Sequence, residues 1–366
     1  MRNWKLHFSS QPDVLVPDVL VIGGGIIGAS IAWQLSKQQL SVAVCDARGL
    51  GQEASWAGAG MLVPGSEFDE PNEWLALGQE SLALYPDFVS ALQEESGEPI
   101  DFAMCGALEI ADTPEHFALL ERRAAAQGTM GIRTERVDQA ALPRILRPGL
   151  AGAIYYAGDA QVDPRTVMQA FRAALSRRGV RLIEGDGAVS MDTTATRPVV
   201  TLRSGGRIEP SHVVLAAGAW ATLIPYQGEG MPALPVAEPV KGHLVGYDLP
   251  AQSLPHILRF HHTYVVQRRS GYTIAGATVE RDGFNRSVEL ASAWTLAASA
   301  HELAPGLLPP KPRDAWMGFR PGIAAEGPRI ERWGSSNVWL AYGHYRNGIL
   351  FAPATAARIA KLIGSA

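Results

Sequence analysis

The sequence predicts a mixed α/β and α+β protein in which a Rossmann-like dinucleotide-binding domain is joined to a second domain. Three observations carry that expectation. The chain has 366 residues, too long for one small core and suited to two modest domains. Near its start, "VLVIGGGIIGASIAWQLS" reads as a buried strand, a glycine turn and a helix. Further on, "HHTYVVQRRSGYTIAGATVE" reads as two β-rich runs around a Ser270-Gly271 turn.

Composition narrows the function. Hydrophobic residues make up 47% of the chain, enough to bury both cores. The net charge of −4 comes with no basic block, which argues against a nucleic-acid partner. The longest apolar runs are strand-sized, well short of the roughly 20 residues of a membrane span, so no membrane partner is expected. The first 17 residues lack the uninterrupted apolar region of a signal peptide; they read as a leader, and a cytoplasmic location is expected. Cys45 and Cys105 are the only cysteines, and neither a CxxC nor a His pair at metal-ligand spacing occurs. Neither a disulfide framework nor a metal is expected.

Taken in order, residues 19 to 22 form the first strand, and Gly23, Gly25 and Gly28 fit GxGxxG. The first glycine makes the turn, the second lets backbone approach a pyrophosphate, and the third lets helix and strand pack closely. Ile26 and Ile27 open the helix, whose free N–H groups and partial positive charge suit phosphate. Ile27, Ile31, Ala32 and Leu35 recur at helical spacing. A second strand, "SVAVCD", ends in Asp46, 18 residues beyond Gly28, followed by Ala47; the acid would accept from ribose hydroxyls. So far NAD and FAD are both open.

The next segment, "GLGQEASWAGAGMLVP", points to FAD. It gathers Ala54, Ser55, Ala57, Gly58, Ala59 and Gly60 ahead of Met61, and small residues let backbone come close to something flat and large. The other reading is a small-residue helix packed on a sheet, with Trp56 capping it. "GVRLIEGDGAVSM" reads as a further strand approaching the nucleotide, with Val189 offering its backbone to an adenine edge or serving as core. In "SHVVLAAGAWA" a buried strand ends at Ala216-Ala217-Gly218, where a side chain would obstruct a neighbour. The helix from 165 is marked by Asp163 as N-cap and Pro164 at its first position.

"VLVIGGGIIG", "ASWAGAGML", "VVLAAGAW", "GFRPG" and "YGHYRNGILFAP" occur in the order and spacing of the FAD-dependent D-amino acid oxidase superfamily. The chain resembles that family from about residue 18 to its end, and within it the bacterial glycine oxidases of thiamine biosynthesis. The resemblance implies a discontinuous FAD-binding domain of residues 18–66, 150–225 and 325–366. Residues 67–149 and 226–324 would build a substrate domain on a largely antiparallel sheet, flanked by helices near 73–95, 114–127 and 288–303. FAD should be non-covalent, because "DAWMG", the stretch before "FRPG", holds no cysteine.

The resemblance also assigns roles. Arg320 would anchor a substrate carboxylate through two parallel N–H donors, assisted by Arg346, by the hydroxyl of Tyr264 and by His262 nearby. Besides the residues of the glycine turn and the small-residue loop, FAD would meet Gly218 and the run His344, Tyr345, Arg346, Asn347, Gly348, Ile349 and Leu350. The helix after Asn347 would point its positive end at the flavin. Ala54 and Ser55 stand where hydroxyl residues are more common, and Asp46 where glutamate is.

The implied reaction is hydride transfer from the α-carbon of a small amino acid to flavin N5. It would produce an imine for thiamine thiazole synthesis and hydrogen peroxide from dioxygen. Glycine, sarcosine and small D-amino acids are the substrates in view; a D-amino acid oxidase or dehydrogenase and an oxidase of a tRNA-linked amine are the alternatives. A homotetramer is implied by resemblance alone.

Overall fold

The computed structural model describes residues 16–68, 70–228, 231–324 and 327–365. The expected leader, residues 1–17, lies almost wholly outside them. Strands β1–β21 and helices α1–α8 are numbered along the chain.

"VLVI" at residues 19 to 22 is aliphatic throughout and buried throughout, as a central parallel strand must be. It sits in a six-stranded sheet ordered β20 (Arg329–Arg332), β21 (Val338–Tyr342), β13 (His212–Leu215), β1 (Val19–Ile22), β2 (Val42–Asp46) and β9 (Arg181–Glu184). All neighbours are parallel except β20 and β21. Successive side chains of a strand point to opposite faces, so β1 divides itself between two cores. Val19 and Val21 join helices α1 (Ile26–Ser36), α4 (Glu73–Ser96), α6 (Pro164–Arg177) and α8 (Gly348–Gly364) through Trp33, Leu92, Phe171 and Phe351. Leu20 and Ile22 meet Met191, Val200 and Leu202 of a four-stranded sheet, β12 (Arg207–Ile208), β11 (Val199–Leu202), β10 (Ala188–Asp192) and β14 (Tyr226–Gln227).

A second body of structure is an eight-stranded sheet. Its order is β19 (Asp314–Ile323), β15 (Ala237–Asp248), β18 (Tyr272–Gly276), β17 (Thr263–Gln267), β16 (Ile257–Phe260), β5 (Ala107–Ala111), β7 (Gly152–Tyr156) and β6 (Thr134–Asp138). It is antiparallel except where β16 meets β5. Helix α7 (Leu290–Leu303) covers one face, placing Ala293, Leu296, Ala297 and Ala300 on Val245, Val265 and Ala275. Helix α5 (Pro114–Gly128) sets Phe117, Leu120 and Ala124 on Ile154 and Tyr156. Strands β3 (Met61–Leu62), β8 (Ala160–Val162) and β4 (Phe102–Ala103) form a small third sheet, and α2 (Ala54–Ala57) and α3 (Pro64–Glu67) are single turns.

Helix starts follow the local chemistry. Asn72 accepts the N–H groups of Trp74 and Leu75, Thr113 that of His116 and Asp163 that of Arg165, with Pro at the first position of α5 and α6. Three expectations need correction. "GVRLIEGDGAVSM" is two strands in different sheets, broken at the Gly185–Gly187 turn where Asp186 receives Ser204. The small-residue loop opens with the helical turn α2. His262 precedes β17 instead of sharing its face with Tyr264, because the tight turn at His261 ends only there. Two elements also depart from the expected division: β7, which starts two residues after the limit at 150, pairs within the eight-stranded sheet, and α4, expected beside the substrate domain, packs into the nucleotide core with α1, α6 and α8.

Candidate active site

The glycine turn is as tight as the chain can make it. Gly23 has φ +108, and a Cβ there would lie 2.4 Å from the Ala216 carbonyl oxygen; a Cβ on Gly28 would lie 1.9 Å from the Gly23 oxygen. Glycine is thus what allows α1 to sit on β1. At the N-terminus of α1 the N-cap residue, Gly25, offers no side chain, and the first turn holds no acidic residue. Ser55 Oγ accepts the Ile26 N–H at 2.8 Å, which locks α2 onto that end. Asp46 braces the same turn: one oxygen accepts the Gly24 N–H at 2.7 Å, the other the N–H groups of Arg48 and Gly49 at 2.8 and 2.9 Å. A carboxylate offers about four lone-pair positions, so the bracing leaves Asp46 capacity for a ribose hydroxyl. Val189 lies at a shift of register between β10 and β11, outside the paired residues, and such a bulge frees a residue's backbone groups from the ladder.

A cavity of about 730 Å³ runs from Asp46, Ala47 and Val189 past Gly23, Ile26, Ile27 and the Ala54–Met61 loop to Tyr264, Arg320 and Arg346. The small-residue loop is fixed from behind. Arg268 donates to the Ala59 carbonyl at 2.6 Å, and Trp316 Nε1 to that of Ala57 at 3.0 Å. At the other side α8 begins at Gly348 after a turn of 3₁₀ helix, with no side-chain cap and no acid in its first turn. Its positive end therefore meets the cavity unneutralised. Tyr85 donates to the Ile349 carbonyl and steadies that end. His344 is buried, bonds Thr355 at 3.1 Å, and burial holds its pKa down to about 3; it is neutral.

Arg320 stands on β19 and Tyr264 on β17, and each lies over a glycine of an adjacent strand. A Cβ on Gly242 would come within 2.4 Å of Arg320 Nη1, and one on Gly276 within 2.3 Å of the Tyr264 hydroxyl. Arg320 donates to the Thr278 carbonyl at 3.0 Å and the Lys241 carbonyl at 3.4 Å. Among the described residues it has no acidic partner. Burial raises the Tyr264 pKa, partly offset by the charges of Arg320 and Arg346, so the phenol is a neutral donor beside an unpaired cation. Arg346 differs: its Nε lies 3.4 Å from the carboxylate of Glu67.

Of the residues expected at the site, all line this cavity except Gly28 and Leu350. Gly28 serves the helix–strand contact, and Leu350 is 1% exposed in the core beneath α8. The sequence reading missed the charges under the site. Glu67 also pairs with Arg259 at 2.7 Å, and Arg259 with Glu109 at 2.9 Å. Glu67, Glu109 and Arg259 fall on three elements, and no local pattern in the sequence signals their pairing.

The cavity has the size of a cofactor site, and its donors suit a dinucleotide at one end and an anion at the other. Residues 18–362 match the model of the FAD dependent oxidoreductase family (DAO). The chain belongs to that family. The cofactor is accordingly FAD, and the chain is an FAD-dependent enzyme similar to glycine oxidases. It is 31% identical to the glycine oxidase of Bacillus licheniformis over 347 residues, covering 94% of this chain and 92% of that one. It is 35% identical to the bifunctional protein ThiO/ThiG of Synechocystis sp. over 358 residues, 94% of this chain but 51% of that protein; the chain thus spans about half of its length. The crystal structure of glycine oxidase from Geobacillus kaustophilus superposes with a TM-score of 0.90 at 29% identity, covering 96% and 95% of the two chains. No helix among the described residues is long and apolar enough to cross a membrane.

Proposed function

We propose that the protein oxidises the amine of a small amino acid, glycine foremost, with sarcosine and small D-amino acids as further substrates. The observation that carries this is Arg320. It is a guanidinium without an acidic partner among the described residues, set beside a neutral tyrosine hydroxyl in the cavity that also holds the nucleotide turn. Two parallel N–H donors match the two oxygens of a carboxylate, and the Tyr264 hydroxyl supplies a further donor. Arg346, drawn toward Glu67, is the secondary cation, and His262 closes the same end.

FAD supplies, when bound, a two-electron acceptor for the α-carbon hydride and a route for those electrons to dioxygen, giving hydrogen peroxide. The chain's own part is to orient the α-carbon and to keep charges fixed around it. Among the described residues, the acidic groups lining the cavity are Asp46, Glu53 and Glu67. The first braces the glycine turn, the second pairs with Arg48 and Arg286, and the third with Arg259 and Arg346. None of these three is left free to take the α-proton, which suits departure of hydride from a neutral amine. FAD is held without a covalent bond, since Cys45, the cysteine of the cavity wall, is buried in β2 with its pKa pushed up to about 12. Residues 18–66, 150–225 and 325–366 are proposed as the FAD-binding domain and 67–149 and 226–324 as the substrate domain, except that α4 packs into the nucleotide core and β7 pairs in the eight-stranded sheet. Similarity to part of a ThiO/ThiG protein supports a place for the imine product in thiamine thiazole synthesis.

The test is anaerobic mixing of the flavin-loaded protein with glycine, then with D-alanine, following the oxidised flavin absorbance in wild type and Arg320→Ala. Bleaching by glycine, with the variant needing far more of it, supports the reading. Bleaching by D-alanine alone moves the specificity to D-amino acids, and bleaching by neither overturns the small-amino-acid assignment.

A further inference from the structure

The turn between β16 and β17 carries a feature that the amine chemistry does not use. Asp112 follows β5, and His116 lies in the first turn of α5, held there by the Thr113 cap. His261 sits in the turn itself at φ +50, a left-handed conformation uncommon outside glycine and asparagine. These elements bring three donors from two separate parts of the chain to within 4.8 Å of one another. His116 Nδ1 is 3.0 Å from one Asp112 oxygen and His261 Nε2 is 3.2 Å from the other. The two imidazoles lie stacked, their centroids 4.7 Å apart and their planes 17° from parallel.

We propose that Asp112, His116 and His261 bind a divalent first-row transition ion at the rim of the cavity. The donor spacing supports this. Bonds of about 2.0 Å around a tetrahedral zinc put neighbouring donor atoms about 3.3 Å apart, close to the 3.0 and 3.2 Å seen here. Two imidazoles and one carboxylate favour zinc, cobalt, nickel or copper over magnesium or calcium, which take oxygen ligands. Three protein donors leave at least one position for water or another ligand. On binding, the rings turn out of their stack, each giving up its hydrogen bond to Asp112 and directing an in-plane lone pair to the ion, so both rings must be neutral.

His261 also lines the cavity and lies three residues before Tyr264, so an ion here ties the β16–β17 turn to the start of α5. No motif spacing could have revealed the site, because its two histidines are 145 residues apart in sequence.

The test is calorimetric titration of EDTA-treated, flavin-loaded protein with zinc chloride, then with cobalt and magnesium chlorides. Wild type should take up one equivalent of zinc and of cobalt and ignore magnesium. His261→Asn keeps a residue that tolerates the left-handed backbone and His116→Gln keeps a polar side chain; each should weaken zinc binding at least tenfold. Flavin content and thermal midpoint report folding. If His116→Gln fails to fold, His261→Asn at the exposed position decides alone. Absence of saturable zinc and cobalt binding in wild type, zinc binding unaltered in His261→Asn, or equal uptake of magnesium would each overturn the assignment.

Discussion

Gly242→Ala puts a methyl group where the Arg320 guanidinium lies, so it tests the placement of that cation without removing it. The new Cβ would stand 2.4 Å from Nη1, 2.5 Å from Nη2 and 2.7 Å from Cζ, whereas ordinary contact begins at 3.4 Å. The planar group must therefore rise by about 1 Å, and its bonds to the Thr278 and Lys241 carbonyls lengthen or break. Gly242 has no left-handed backbone angle, so alanine itself fits the strand. A misplacement of that size costs about 100-fold in rate, or about 2.7 kcal/mol. A peroxide-coupled assay should show kcat/KM for glycine reduced by about that factor, chiefly through KM, with flavin content unchanged. In the Arg320→Ala background the same substitution should cost nothing further, because the group it displaces is gone. Wild-type kcat/KM within threefold, in fully flavinated Gly242→Ala, would refute the anchoring role of Arg320.

Tyr264→Phe removes one neutral donor and should lower kcat/KM about tenfold; since burial raises the Tyr264 pKa, wild type should show no alkaline loss attributable to it below pH 10. Asp46→Asn takes charge from three backbone contacts and from the ribose site, so the dissociation constant for FAD, read by flavin fluorescence, should rise ten- to a hundredfold. His344 is neutral in the fold with a pKa near 3 and an unfolded value of 6.5. The unfolded chain thus binds more protons between those values, and stability should fall as pH drops through that window, by up to about 1.4 kcal/mol per pH unit. Urea midpoints of wild type and His344→Gln across pH 4 to 7 check this, and parallel curves would contradict it.

The nucleotide half was legible because its signals are local. A buried aliphatic run, three glycines at fixed offsets and a terminal acid lie within 28 residues of one another, and backbone sterics leave such a segment few other arrangements. The α6 start was legible for the same reason, as Asp163 and Pro164 act on their own helix. Arg320 and Tyr264 were reached through resemblance to the family. What makes their positions work, the gaps above Gly242 and Gly276, depends on strand register and cannot be read from either strand alone. The Glu67–Arg259–Glu109 chain was invisible because charges paired across three elements leave no periodic trace.

The order β13-β1-β2 and the packing of α1 on α8 have a temporal consequence. The glycine turn is synthesised well before the helix that covers it, which starts at Gly348, about 310 residues after α1 ends. At 5–20 residues per second the nascent chain spends about 15–60 s with that turn exposed and its cavity unbuilt. Cofactor capture therefore waits for α8, and a chain stalled or truncated before Gly348 should remain colourless however much of the preceding sequence has been made.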